Sequence, residues 1–289
     1  MKKIAIIGAT GMLGQPVTKA FIDAGFEVSI LARNAEQARQ IFGDKVQVVK
    51  GDIQESEKIR TILHGKDCLY LNLSVKQESG RSDFQPEREG LRDILTIAKE
   101  AGIKRIGYLS SLVHFYQGQQ GFNWWIFELK QKAVEAIKSS GIPYSIFYPS
   151  TFMESFDKGG YRLGDNLALS GKSRYKMFLI AGCDYGKQVT KAFEINTGNH
   201  EYNIQGQEGY TADEAAEYYV RHYSRRKVKI MRAPLGMLKF LGLFTNKFNY
   251  GAKIVDALNN YPEKFESAKT WKELGKPETT FYDYIKKSN

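Results

Sequence analysis

The sequence predicts an α/β fold: a doubly wound parallel sheet with helices on both faces, followed by a smaller, mostly helical C-terminal lobe. Three observations carry this. Short β-branched or apolar runs alternate with amphipathic helical stretches through the first half of the 289-residue chain. A glycine-rich turn, Gly8-Ala9-Thr10-Gly11-Met12-Leu13-Gly14, joins the first run to the first helical stretch. The alternation stops near Pro149, and helical patterns dominate from there on. Strand-helix-strand alternation implies parallel pairing through right-handed crossovers, because only that hand folds the helix back onto a right-twisted sheet.

The expected strands cover residues 4–8, 26–32, 46–50, 68–73, 106–110 and 144–148, each short and bounded by Gly, Asp, Asn or Pro. Helices are expected over 13–24, 35–42, 56–63, 85–101 and 124–139. In the fourth, Leu91, Ile94, Leu95 and Ala98 recur at helical spacing, as do Phe127, Val134 and Ile137 in the fifth. Beyond Pro149 come a Gly-rich loop at Lys158-Gly159-Gly160, a helix over 185–196, a short strand over 202–204 and several further helices. Thr211 with Glu214 three residues later has the spacing of a capping box. The apolar run Leu235-Gly236-Met237-Leu238-Lys239-Phe240-Leu241-Gly242-Leu243-Phe244 is expected to be a buried helix of the second lobe, with a dimer face or substrate rim as the alternative. The division is residues 1–150 for the sheet domain and 151–289 for a C-terminal lobe interleaved with it.

Composition narrows the function classes. A chain of this length buries about 75% of its unfolded surface and needs neither disulfides nor a metal for its core. Cys68 and Cys183 are too few and too far apart for a disulfide scaffold, which favours a reducing compartment and hence the cytoplasm. Met1-Lys2-Lys3 precedes an apolar run too short for a signal peptide, and no run reaches the ~20 apolar residues of a membrane-spanning helix. Lys and Arg total 42 against 32 Asp and Glu, a net charge of +10. The densest basic stretch, with Arg225, Arg226, Lys227 and Lys229, lacks any nucleic-acid-binding signature and reads as a solvated face. His64, His114, His200 and His222 have no metal-ligand spacing, and no GxSxG elbow occurs.

The glycine turn is where chemistry first becomes legible. Directly after a strand and opening a helix, Gly8 and Gly11 allow a sharp turn that brings backbone N–H groups to a pyrophosphate, flanked by Thr10, Met12 and Leu13. Gly14 lets the helix pack closely on the sheet, as in a Rossmann-type dinucleotide site, although the spacing is GxxGxxG. At the end of the second strand, where an NAD site usually places Asp or Glu, the chain has Leu31-Ala32-Arg33-Asn34. Arg33 suits a ribose 2′-phosphate, so the expected cofactor is NADP(H). Asp52 and Ile53 end the third strand near the expected adenine; Asp after Gly is equally an ordinary turn or cap residue. Leu73 and Ser74 follow the fourth strand as further candidates.

Together with Tyr108-Leu109-Ser110-Ser111 and Ser140-Gly141-Ile142-Pro143-Tyr144-Ser145-Ile146, these segments resemble the NmrA-like branch of the atypical short-chain dehydrogenase/reductases. The resemblance runs from residue 1 to about 220 and weakly beyond. It implies NADP(H) binding and activities from enone or quinone reduction to non-catalytic redox sensing. In the wider superfamily a Tyr-x-x-x-Lys pair transfers the proton and holds the nicotinamide ribose. Here Ile126-Phe127-Glu128-Leu129-Lys130 puts isoleucine at the tyrosine position, as the isoflavone-reductase-like enzymes also lack the tyrosine. Lys130 is thus the candidate for ribose binding and proton relay, and Ser111 for a bond to the substrate carbonyl. Tyr148, Pro149 and Phe152 fall in the segment that passes the nicotinamide.

Tyr116 lies in the aromatic stretch with Phe122, Trp124 and Trp125 and is the candidate replacement acid. Those aromatics suit a flat apolar or aromatic substrate, or else plain core. The leading expectation is an NADP(H)-dependent reductase of a small apolar carbonyl, enone or quinone, monomeric or homodimeric, with no nucleic-acid partner. A dinucleotide-binding sensor without catalysis is the alternative, and a nucleotide-sugar epimerase is disfavoured by the missing tyrosine.

Overall fold

The computed structural model describes residues 2–195 and 197–288. The first half runs β1 (Lys3–Ile7), α1 (Gly14–Asp23), β2 (Glu27–Ala32), α2 (Ala35–Phe42), β3 (Val46–Lys50), α3 (Ser56–Leu63), β4 (Cys68–Leu71), α4 (Leu91–Glu100), β5 (Arg105–Leu109), α5 (Trp125–Ser139) and β6 (Tyr144–Pro149). The second half continues α6 (Glu154–Asp157), β7 (Arg162–Leu163), β8 (Asn166–Ser170), β9 (Met177–Phe178), α7 (Gly182–Glu194), β10 (His200–Ile204), β11 (Gly209–Tyr210) and α8 (Ala212–His222). It closes with β12 (Lys229–Ala233), α9 (Leu235–Leu241), α10 (Asn246–Asn260), α11 (Ala268–Leu274) and α12 (Phe281–Ser288).

Seven parallel strands form the main sheet in the order β10-β6-β5-β4-β1-β2-β3, a Rossmann-type arrangement. Successive residues of β1 point to opposite faces, and both are apolar because both faces are covered. Ile4 and Ile6 pack with Val17 and Phe21 of α1 and with Tyr185, Val189 and Phe193 of α7. Ala5 and Ile7 face the other way, onto Ile59 and Ile62 of α3, Ile94 of α4 and Ile137 of α5. The strand order reverses between β1 and β4, so the crevice at their carboxyl ends is the expected place for a ligand.

The second half is mostly helical, as expected, with short strands the sequence did not signal and one expectation that fails. It is not purely helical: β12, β8 and β7 form a three-stranded sheet, with β8 and β12 parallel, and β9 pairs with β11. The strands are short or basic, and pairing between residues 63 apart leaves no local pattern to read. Helix α7 and strand β10 return to the main sheet, α7 lying against α1; the expected end of that helix at Asn196 lies outside the described residues. Most plainly, the apolar run at 235–244 is not buried core. Met237, Phe240, Leu243 and Phe244 are exposed, because α9 packs on α10 through its other side. The Thr211 capping box forms as its spacing predicts, Thr211 Oγ1 accepting from Glu214 N.

Candidate functional site

A cleft of about 1220 Å³ opens along the carboxyl ends of β1 to β6. Its floor is the glycine turn. Gly8 has φ +86°, open to residues without a Cβ, and a Cβ on Gly14 would collide with the Gly8 carbonyl oxygen. Helix α1 begins at Gly14 with no side-chain cap and no acidic residue in its first turn. Gln15 N already donates to the Gly11 carbonyl and Pro16 has no N–H, so the helix contributes its positive dipole end beside Gly11, Met12 and Leu13, a cradle suited to a pyrophosphate. Asn72, which the sequence reading passed over, braces the turn by donating Nδ2 to the Gly8 carbonyl at 3.4 Å.

From this floor the cleft extends both ways. At one end stand Arg33, Asp52 and Ile53. The Arg33 side chain is 71% exposed, and its Nε is 4.0 Å from Asp52 Oδ2. Asp52 Oδ1 accepts from Gln54 N at 3.1 Å, so this carboxylate closes its own turn while steadying the guanidinium. An exposed arginine without a closer anion is available to a phosphate monoester. Thr10, Gly11, Met12, Leu13, Leu73 and Ser74 line the path to the other end.

That other end is built on α5. Ser111, Lys130, Pro149 and Phe152 line it, and Ile126 occupies the position of the superfamily tyrosine. Lys130 Nζ donates to Glu87 Oε1 at 2.7 Å, and the same oxygen accepts from the Tyr108 hydroxyl at 2.5 Å. Glu87 comes from the π-helical turn Pro86–Gly90 ahead of α4 and is fully buried, which nothing in its sequence neighbourhood signals. Burial and the Glu87 charge raise the Tyr108 phenol well above its ordinary value. Ser110 is buried and shares a 3.0 Å hydrogen bond with His114 Nδ1. Ser111 beside it is half-buried and faces the cleft.

Two candidates lie elsewhere. Tyr116 does not line this cleft: its ring packs on Phe122 at 5.0 Å, and its hydroxyl faces Gln120 in a separate small cavity. The loop carrying it turns away after Val113, and the aromatics around it form their own core cluster. Tyr148 also turns from the cleft, donating to Glu201 at 2.6 Å. Three other tyrosines do line the cleft, Tyr161, Tyr250 and Tyr261, and Tyr250 of α10 stands edge-on to Trp124 at 5.1 Å. Burial first, then the Glu87 charge, raises its pKa. Trp124, Phe127, Phe248 and Ile254 complete a mostly apolar wall.

Known proteins share this architecture across several activities. The chain is 25% identical over 261 residues to the photosystem II assembly factor Ycf39 of Guillardia theta, covering 88% of this chain and 81% of that one. A nucleoside-diphosphate-sugar epimerase from Staphylococcus aureus superposes with a TM-score of 0.74 at 18% identity, covering 99% of both chains. The NADPH-dependent quinone oxidoreductase of Escherichia coli, complexed with NADPH, superposes with a TM-score of 0.68 at 21% identity, covering 98% and 99%. The model of the NmrA-like family matches residues 1–284, and with the glycine turn, the switch-point cleft and nearly the whole chain accounted for, this protein belongs to the NmrA-like family.

Proposed function

We propose that the protein is an NADP(H)-dependent reductase of a flat, apolar carbonyl, enone or quinone. One observation carries the reading: a single cleft runs from an exposed Arg33, past an uncapped helix N-terminus, to an apolar wall beside Lys130. The polar end suits a 2′-phosphorylated dinucleotide and the apolar end a hydrophobic acceptor. The solved NADPH-dependent quinone oxidoreductase of the same fold supports the pairing.

When bound, the reduced nicotinamide supplies the hydride, and the protein supplies position and a proton. Lys130, held by Glu87, bonds the ribose hydroxyls in this reading. Ser111 polarises the acceptor oxygen. Tyr250, on the apolar wall beside Trp124, takes the proton-donor role left open by Ile126.

A non-catalytic dinucleotide sensor is the second reading, favoured by Ile126 at the tyrosine position and by the similarity to an assembly factor. The deciding experiment follows NADPH consumption at 340 nm against a panel of quinones and enones, with Lys130→Ala beside the parent. Turnover that the variant loses supports the reductase. Saturable NADPH binding with no turnover on any acceptor supports the sensor.

A further inference from the structure

Among the described residues three carboxylates line the cleft, and two of them have evident local work. Asp52 steadies Arg33, and Asp83 closes its own loop by accepting from Gly80 N at 2.8 Å. The third, Glu263, follows α10 and belongs to neither. Its hydrogen bond to Ser150, which lies between Pro149 and Phe152, puts it at the end of the cleft built on α5. Tyr261, two residues before it, packs with the aromatic cluster of Trp124 and Phe127. An acidic side chain thus stands beside the apolar wall.

Three donors hold this carboxylate, and all are neutral. Oε1 accepts from Gln205 Nε2 at 2.7 Å and from Phe178 N at 3.3 Å, whereas Oε2 accepts from Ser150 Oγ at 2.9 Å. A carboxylate has about four acceptor positions, two on each oxygen, so among the described residues Oε2 fills one of its two. Burial raises the carboxyl above its ordinary pKa against the pull of those three bonds, and no cation joins them. A charge in such a recess is stabilised by each further N–H or O–H brought to it. The site is open to one: Glu263 is half-buried, and with Ser150, Thr151, Met177 and Tyr261 it forms part of the cleft surface. Thr151 Oγ1 donates to the Met177 sulfur at 3.0 Å, so its oxygen is a second acceptor there.

We propose that Glu263 determines specificity: among flat apolar acceptors it selects those that carry an N–H or O–H donor, which makes the fourth hydrogen bond of the carboxylate. That the ligand is a hydride acceptor rests on the reductase reading, whereas the demand for a donor comes from Glu263 itself. An acceptor with a methyl group at this place displaces water from Oε2 and returns no bond. One with an amino group replaces the bond that the water made.

The test is equilibrium dialysis of the full chain against 2-amino-1,4-naphthoquinone and against 2-methyl-1,4-naphthoquinone, a matched pair in which an amino group replaces a methyl of similar size. NADPH is left out, so nothing is turned over. The expected result is about tenfold or tighter binding of the amino compound. Glu263→Gln keeps the shape and can keep the Gln205 and Phe178 bonds through its carbonyl oxygen, while its amide nitrogen, a donor, takes the place of Oε2. In that variant the preference should fall to within about twofold. Equal affinities in the parent, or failure of both quinones to bind, would overturn the proposal. So would a variant that weakens both quinones by one factor and leaves the preference intact, which is what a merely structural carboxylate does. A preference that Glu263→Gln removes, with no NADPH consumed on either quinone in a separate assay, would leave Glu263 as the donor-recognising group and remove only the reductase reading.

Discussion

Glu87, fully buried, and Lys130, half-buried, form an ion pair at the base of the cleft, Oε1 to Nζ 2.7 Å, with the Tyr108 hydroxyl on the same oxygen and Glu87 Oε2 buried without a hydrogen-bond partner among the described residues. Removing one member leaves a buried charge uncompensated. Lys130→Met should therefore lower stability by about 3 kcal/mol. The double variant with Glu87→Gln should lose less than the sum of the single losses, with a coupling of about 1–3 kcal/mol. Urea unfolding of the four proteins measures this, and additive losses would mean the pair does not act as one.

Arg33 is the cofactor discriminator of the proposed reading. Charge-assisted bonds to a phosphate monoester are worth about 1.5–3 kcal/mol. Arg33→Ala should weaken NADPH binding about 30-fold and change NADH binding by less than about threefold. Calorimetric titration of both cofactors decides it, and equal losses would place Arg33 outside the 2′-phosphate site.

Gly14 stands where helix α1 crosses the glycine turn, and an added Cβ meets the Gly8 carbonyl and the Ala9 backbone, which cannot move aside as a side chain could. Gly14→Ala should cost about 2–3 kcal/mol through overpacking and abolish saturable dinucleotide binding. Thermal unfolding and fluorescence titration read the two effects separately. A variant that binds NADPH like the parent would show that the cradle tolerates displacement.

His114 makes stability depend on pH. Burial, then the charge of Lys130, pulls its imidazole down to about 3 from an ordinary value near 6.5. Between those values the unfolded chain binds a proton that the folded protein refuses. The contribution is therefore complete above about pH 6.5 and is lost progressively as pH falls toward 3, reaching about 2 kcal/mol at pH 5. Between pH 7.5 and pH 5 the parent should lose about 2 kcal/mol more than His114→Gln. Parallel stability curves would mean the imidazole finds a way to charge in place.

The two phenols separate cleanly by experiment. Tyr116→Phe should leave turnover unchanged, because its hydroxyl faces Gln120 away from the cleft. Tyr250→Phe should lower turnover by about 100-fold with NADPH affinity kept, the usual scale of a general acid. The reverse ranking in NADPH-consumption assays would return the proton-donor role to the Tyr116 loop.

What could be read from the residues depended on how local its cause is. The glycine turn is legible because strand, turn and helix are consecutive and the demand for a missing Cβ is made within seven residues. The α2 and α3 boundaries, 35–42 and 56–63, are as the periodicity predicts, since both helices bury one apolar stripe against the sheet. Glu87, Tyr250 and the β8–β12 pairing escaped because each acquires its role from a distant partner: Glu87 from Lys130 43 residues on, β8 from a strand 63 residues later.

By itself, the sequence determined the doubly wound sheet, the glycine turn and the basic residue at the end of β2, because hydrophobic period, glycine spacing and charge at a strand end are properties of short segments. Only the tertiary structure decided which side chains meet in the cleft and which face outward. The run at 235–244 has the composition of core, yet its larger side chains stand in solvent, since burial is set by which face of a helix finds a partner, and that partner is chosen by the fold as a whole.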